Sequence, residues 1–331
     1  SSGAEAETEH VFLTANQLAL RWGKLTHSDA TFTIGEIGFG SGLNFVKTLQ
    51  LWQAIHKSKP KLHYITFEKY PLTVQDMAKA HSNWPHLQPY FDQLLKHYSP
   101  FNQVSCRLAI AENVTLDIHF GDALERLKTL YLPAQAGVDC WYLDGFSPRL
   151  NTDLWSEALC YELQRLSSSD ATLSTYSAAG WVRANLTSAG FQVSKTQGFA
   201  GKRHMLTAII NKPEDCITPP KSLAPWAVPL HLEHQSKSVV IIGAGLAGAS
   251  TAYALAQRGL KVTVIDSSST HAQSASGINQ LALRPRLFKQ ASAVAEFYLQ
   301  AFLSANNQYQ TLPAIQDKCW QQCGVLQNTQ A

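Results

Sequence analysis

The sequence predicts an α/β protein: a doubly wound, mainly parallel sheet over residues 31–212, then the opening of a second dinucleotide-binding unit over residues 238–331. Three observations lead there. Short β-rich apolar stretches alternate with helical patterns from Thr31 to about Ile210. A glycine-rich turn follows the first strand of each unit. Between the units, residues 213–237 carry Pro213, Pro219, Pro220, Pro225 and Pro229 with little periodicity, and read as a linker.

The elements follow in order. Residues 1–30 form an N-terminal segment expected to pack on the first domain. TFTIGEIGF (31–39) is a buried strand, and a helical pattern runs from Leu43 through the fifties. LHYITFE (62–68), TLDIHFGD (115–122) and VDCWYLDGF (138–146) are further strands. TDLWSEALCYELQRL (152–166) has helical spacing, ATLSTYS (171–177) is a strand, and AAGWVRANLTSAG (178–190) is a helix ending at glycine. FQVSKTQGF (191–199) and RHMLTAII (203–210) have no helix between them, which suits an antiparallel end hairpin. SVVIIGAGLAGASTAYALAQRGLKVTVID (238–266) restarts a strand–turn–helix–strand unit.

Composition narrows the classes. The 331 residues are 45% hydrophobic and 15% charged, which supports packed domains rather than charged disorder. No apolar run approaches the roughly 18 residues of a membrane span. The opening SSGAEAETEH lacks a secretory signal's basic start and apolar core, so a cytoplasmic location is expected. Residues 1–215 hold 19 basic against 20 acidic side chains, and residues 216–331 hold 8 against 4. Neither part is strongly basic, so any nucleic-acid contact must use a local patch. The six cysteines are scattered, and the spacing of Cys319 and Cys323 is not that of a redox pair; reduced thiols and no metal are expected.

The first glycine loop runs Glu36-x-Gly38-x-Gly40-x-Gly42 at the end of the first strand. Glycines allow a sharp turn and close approach, and the following helix start offers unpaired N–H groups to a nucleotide-like ligand. The acid two residues before the first glycine suits S-adenosylmethionine (SAM), which carries an ammonium group. Glu68 ends the second strand, where a carboxylate can accept from ribose hydroxyls, and Asp122 ends the third, where it can accept from an adenine amino group. Singly, each acid also reads as a solvated loop residue. Together with the loop, the set resembles a class I SAM-dependent methyltransferase, whose fold is a Rossmann-like doubly wound sheet.

Asp144-Gly145-Phe146-Ser147-Pro148 follows the fourth strand, beside the reactive end of such a cofactor. Asp144 is the candidate catalytic residue: it can hold an amine and help take its proton. Phe146 can stack on a base and Pro148 can stiffen the loop. A plain capping turn is the alternative. The loop resembles, with different residues, the Asp/Asn-Pro-Pro-aromatic loop of amino-group methyltransferases. Arg149, Lys202, Arg203 and Arg183 are candidates for phosphate contacts or simply surface charge. Tyr176 and Trp181 flank the fifth strand end and either line a base pocket or pack the core.

The second glycine loop, Gly243-Ala-Gly245-Leu-Ala-Gly248, follows VVII and opens a helix, with Asp266 18 residues beyond Gly248. Strand, loop, helix and distal acid form a strong dinucleotide fingerprint, with the pyrophosphate at the helix start and Asp266 on a ribose.

Several segments together resemble the MnmC family of bifunctional tRNA wobble-uridine modification enzymes. They are Glu36-Ile-Gly-Phe-Gly-Ser-Gly-Leu-Asn-Phe45, Phe67-Glu-Lys-Tyr-Pro-Leu72, Leu143-Asp-Gly-Phe-Ser-Pro148 with Asn151 and Trp155, and Gly198-Phe-Ala-Gly-Lys-Arg203. Ala275-Ser276-Gly277 with Gln280 is similar to a segment of that family's C-terminal half, an FAD oxidoreductase related to glycine and D-amino-acid oxidases; Ser274, Ile278 and Leu281 depart from it. The resemblance implies tRNA as partner, SAM and FAD as cofactors, and Ser276 and Gly277 as FAD contacts. It implies methylation of 5-aminomethyl-uridine, often 2-thiolated, after oxidative removal of a carboxymethyl group from carboxymethylaminomethyl-uridine. The FAD-binding Rossmann-type part reads as incomplete, and the family normally has additional sequence before His10. These residues alone are therefore expected to bind FAD poorly. The competing readings are a small-molecule amine methyltransferase joined to a flavin amine oxidase, and a scaffold whose nucleotide sites are relics.

Overall fold

The computed structural model describes residues 2–25, 30–57, 59–98, 105–132, 137–145, 148, 151–211, 237–268, 275–278, 280–290, 292–311, 320–321 and 323–324. Two compact units emerge: Ser1–Pro229 with Leu287–Thr311, and Leu230–Arg286 with Leu312–Ala331.

In the first unit, α1 (Ser2–Thr8) runs into a wider helical stretch, Glu9–Thr14, and then α2 (Leu18–Gly23). Next come β1 (Thr31–Ile37), α3 (Leu43–Ile55), β2 (Lys61–Glu68), α4 (Val74–His81) and α5 (Gln88–Leu95). The hairpin β3 (Cys106–Ala111) and β4 (Val114–Phe120) leads to α6 (Ala123–Thr129), β5 (Val138–Leu143) and α7 (Glu157–Leu166). The series ends with β6 (Ser167–Thr175), α8 (Gly180–Ser188), β7 (Gln192–Gln197) and β8 (His204–Ile209).

The eight strands form one sheet in the order β3-β4-β2-β1-β5-β6-β8-β7. β1 pairs in parallel with β2 and β5, while β8 runs antiparallel to both β6 and β7, so the helix-free pair does form the end hairpin. β3 has no counterpart in the sequence reading. It is a six-residue edge strand that only half alternates in burial and carries the charged Arg107, so its hydrophobic pattern is weak. The strand tails read as Gly38–Phe39, Gly121–Asp122 and Asp144–Gly145 belong instead to loops, at the carboxyl edge where α/β sheets bind ligands.

Strand periodicity divides the core into two layers. Ile34, Tyr64, Cys140 and Tyr142 face the layer containing α2, α3 and α5, where Trp22, Phe45, Trp52 and Phe91 are buried. Ile37, Ile65, Phe67, Trp141 and Leu143 face the layer of α6, α7 and α8. Gly35 belongs to that second face because a Cβ there would overlap the Trp141 ring. Polar side chains cap helix starts: Thr73 accepts from the Asp76 amide at 3.1 Å before α4, and Ser156 from the Leu159 amide at 3.3 Å before α7.

α10 (Ala293–Thr311) lies in the stretch read as second domain but is compact with the first unit. Its Glu296 pairs with Arg126 at 3.1 Å, and Arg126 in turn donates to the Phe120 carbonyl at 2.8 Å.

The second unit contains β9 (Ser238–Ile242), α9 (Leu246–Gln257) and β10 (Lys261–Ile265), with the strands paired in parallel. No α9 residue is buried, and Ile242 is 90% exposed. Among the described residues no helix is long and apolar enough to cross a membrane, and no three His, Cys, Asp or Glu side chains are placed to hold a metal ion.

Candidate active site

A cavity of about 620 Å³ opens at the carboxyl edge of the first sheet, within the usual range for small-ligand pockets. The loops after β1, β2, β4 and β5 and the N-terminal α1 line it; Gly38, Gly40, Glu68, Asp122 and Asp144 are among its walls. The sequence reading placed these five residues together through strand ends alone.

The glycine loop turns because its backbone adopts positive φ at Gly38, Gly40 and Gly42 (93°, 53° and 74°). Gly42 caps α3, and a Cβ there would crowd Leu94 and Phe39; it shapes the turn and is not part of the cavity lining. Glu68 ties the loop down. Its Oε2 accepts from the Gly40 amide at 2.9 Å and its Oε1 from the Tyr70 amide at 2.7 Å. Each carboxylate oxygen keeps a second lone pair, so a ribose diol can still be accepted.

Glu36 takes a different place from the one expected of a ligand-facing acid. Successive side chains on β1 alternate, so Glu36 shares the face of Ile34 and points beneath the start of α3. It is wholly buried and outside the cavity lining. Thr66 donates to its Oε2 at 2.8 Å and Asn44 to its Oε1 at 3.0 Å. Burial pushes the carboxyl up to about 8 despite those donors, and the nearby Asp144 adds to the rise.

Asp144 stands at the end of β5 with its side chain partly open to the cavity. Asn44 donates to its Oδ2 at 2.7 Å, through the same amide nitrogen that serves Glu36. Burial lifts the Asp144 carboxyl to about 6, with Asn44 and Lys202 opposing and Glu7 reinforcing the shift. It is thus largely ionised at neutral pH yet basic enough to accept a proton.

Asp122 is a helix cap. Its Oδ1 accepts from the Leu124 and Glu125 amides at 3.1 and 3.4 Å, and its Oδ2 pairs with Lys69 at 3.1 Å. Burial raises its pKa, but Lys69 and the amides outweigh that and hold it low.

Lys202 is exposed and also borders the cavity. Its Nζ sits 2.6 Å from Glu7 and 4.7 Å above the Tyr176 ring, while the Tyr176 hydroxyl donates to the Gly145 carbonyl at 2.6 Å. Arg203 and Arg183 are exposed, as is Trp181, and none lines the cavity. Pro148 is buried away from the lining. Phe146 and Arg149 lie outside the described residues. Glu7, Thr8 and Asn44 line the cavity without having been singled out from sequence. Asn44 sits two residues past Gly42, inside the quoted glycine segment, but nothing local marks it as a partner of Asp144, 100 positions away.

In the second unit, Gly243 has φ 103° and Gly248 packs so closely on the Gly243 carbonyl that a Cβ would overlap it. Asp266 accepts from the Ala244 amide at 2.7 Å, and Ser276 Oγ accepts from the Leu246 amide at 3.0 Å. Gly245 precedes α9, and Gly277 closes the turn Ala275–Gly277. These groups fit the phosphate end of a dinucleotide; two strands, one α-helix and the short turn Ala275–Gly277 are the regular structure among the unit's described residues.

Residues 85–211 match the S-adenosyl-L-methionine-dependent methyltransferase family Methyltransf_30, and residues 238–330 match a family of FAD dependent oxidoreductases. The chain is 38% identical over 324 residues to the tRNA 5-methylaminomethyl-2-thiouridine biosynthesis bifunctional protein MnmC of Pseudomonas fluorescens, covering 97% of this chain and 48% of that protein. It is 39% identical over 328 residues to the protein of the same name in Chromobacterium violaceum, covering 99% of this chain and 48% of the relative. The chain therefore spans about half the length of these curated relatives. Among solved structures, MNMC2 from Aquifex aeolicus aligns with a TM-score of 0.51 at 21% identity, over 64% of this chain and 62% of that one, which is a likeness of fold.

Proposed function

The chain belongs to the MnmC family across the part of that family's length it spans, and from this premise we propose that its first unit methylates the amine of 5-aminomethyl-uridine, 2-thiolated or not, at the tRNA wobble position. The observation that carries the proposal is one cavity bounded by the Gly38–Gly40 turn, Glu68 and the Asp144 carboxylate. When bound there, SAM supplies an electrophilic methyl group. Gly38 and Gly40 let the backbone approach it, and Glu68 accepts from its ribose.

An aliphatic amine is mostly protonated at neutral pH. Asp144 accepts a hydrogen bond from the acceptor's ammonium, orients the nitrogen, and takes the proton that must leave for the lone pair to attack. Tyr176, tied to Gly145, and Lys202, tied to Glu7, form the adjoining wall where a base would enter. Arg203, which is exposed, remains a candidate for tRNA contact, as do Phe146 and Arg149, whereas the buried Pro148 can act only by stiffening its loop.

For the second unit we propose FAD binding, with Gly243, Gly245 and Gly248 at the pyrophosphate and Asp266 at a ribose. Ser276 and Gly277 border the start of α9. The activity proposed for the whole bifunctional protein is oxidative removal of the carboxymethyl group from carboxymethylaminomethyl-uridine, ahead of methylation.

A second reading, a small-molecule amine methyltransferase, is favoured by one observation: the two lysines of the cavity wall, Lys69 and Lys202, are both paired with carboxylates, leaving less positive charge for phosphate. Methyl transfer from labelled SAM to tRNA bearing 5-aminomethyl-uridine, run beside free amines, separates the two. Incorporation that needs both the aminomethyl group and Asp144 supports the first; transfer to free amines alone replaces it with the second.

A further inference from the structure

The carboxamide of Asn44 is the hub of a buried polar chain that begins in the N-terminal segment. Thr8 Oγ1 lies 2.7 Å from Asn44 Oδ1, while Asn44 Nδ2 lies 3.0 Å from Glu36 and 2.7 Å from Asp144. Thr8 and Asn44 are each 4% exposed. An amide nitrogen only donates and an amide oxygen only accepts. An ionised Asp144 can only accept, so the nitrogen faces it, and the oxygen is left facing the Thr8 hydroxyl, which donates to it. With Glu36 already served by Thr66, the second N–H is directed at Asp144 alone.

We propose that Asn44, its amide oxygen satisfied and anchored by the Thr8 hydroxyl, is a positioning residue for Asp144. The proposal rests on Asp144 as the group that receives the amine proton. One carboxylate oxygen, Oδ2, is anchored by Asn44, which leaves Oδ1 for the acceptor nitrogen. The groups facing this carboxylate are Glu36 from β1, Glu7 from α1, Lys202 before β8, and Tyr176 at the end of β6. Three are potential anions and one is a cation, so a neutral donor at Asn44 favours the ionised carboxylate without adding a charge.

Removing the Thr8 hydroxyl leaves the amide oxygen as a buried acceptor with no donor from that side. With that acceptor unsatisfied, the carboxamide is no longer anchored on the Thr8 side, and its hold on Asp144 Oδ2 loosens. Loss of Thr8 therefore shifts Asp144 toward the protonated form.

The test compares Thr8→Val with Thr8→Ser in the full chain. It reads the ¹³C titration of the Asp144 carboxyl (assigned by its loss in Asp144→Asn), the pH profile of kcat, and SAM affinity by calorimetry. In Thr8→Val the Asp144 titration and the acid limb of kcat should both move upward by about half a pH unit, a roughly threefold loss of rate on that limb. SAM affinity should stay within about twofold, and Thr8→Ser should restore the profile. An unmoved Asp144 titration in Thr8→Val, with the variant folded, overturns the proposal. So does a loss of rate that tracks a loss of SAM affinity on an unshifted profile. If the wild-type chain methylates neither tRNA nor free amines, the proposed function fails, and the carboxyl titration still decides the positioning.

Discussion

Gly38 and Asp144 meet backbone to backbone across the end of the sheet: a Cβ on Gly38 would overlap the Asp144 carbonyl oxygen, and the Asp144 amide donates to Ile37 at 3.0 Å. The glycine loop and the acid-bearing loop are thus one packed unit, with Gly38 at φ 93°. Gly38→Ala forces both the contact and the dihedral. It should lower stability by about 1–3 kcal/mol and weaken SAM binding by at least about tenfold. Urea unfolding and calorimetric titration measure the two effects.

Asp144→Asn keeps shape and hydrogen-bond capacity but removes the proton acceptor. The turnover number should fall by about 10²–10⁴-fold while SAM affinity stays within a few-fold. In the unmodified chain, the acid limb of kcat/KM should have its midpoint near the Asp144 value of about 6. Near-normal turnover in the asparagine variant would remove Asp144 from the chemistry.

Glu36 makes stability depend on pH in an unusual direction. Its carboxyl sits at about 8 in the folded chain against 4.5 ordinarily. Between those values the native state holds a proton that the unfolded state has released. The stability contribution therefore falls as pH rises through that window, by at most about 1.4 kcal/mol per pH unit, and levels off above it. Glu36→Gln cannot ionise. Its unfolding free energy, followed from about pH 5 to about pH 8, should decline less steeply than that of the unmodified chain. Parallel slopes would show that Glu36 titrates normally.

Glu68→Ala removes the acceptor of the Gly40 and Tyr70 amides together with the candidate ribose contact. Hydrogen bonds to a charged group are worth about 1.5–3 kcal/mol each, so SAM affinity should drop by about 10–100-fold. A change under about threefold would place the ribose elsewhere.

Strand order aside, the α/β class, both glycine turns and the acids at the strand ends were legible because each depends on local pattern: period-two apolar runs, glycine at positive φ, and an acid where a strand stops. The linear pattern did not reveal which way Glu36 points, because strand parity relative to the covering helix depends on how β1 packs between β2 and β5. Nor did it reveal Asp122 as the α6 cap, Lys202 beside Glu7, or the chain from Thr8 through Asn44 to Asp144. Those partners lie 36, 100 and 195 positions apart in the long-range cases, and no local propensity couples residues at such distances. The fold class is written in short-range periodicity, whereas the protonation and aim of the central carboxylate come from side chains that meet only when the N-terminal segment packs against the sheet.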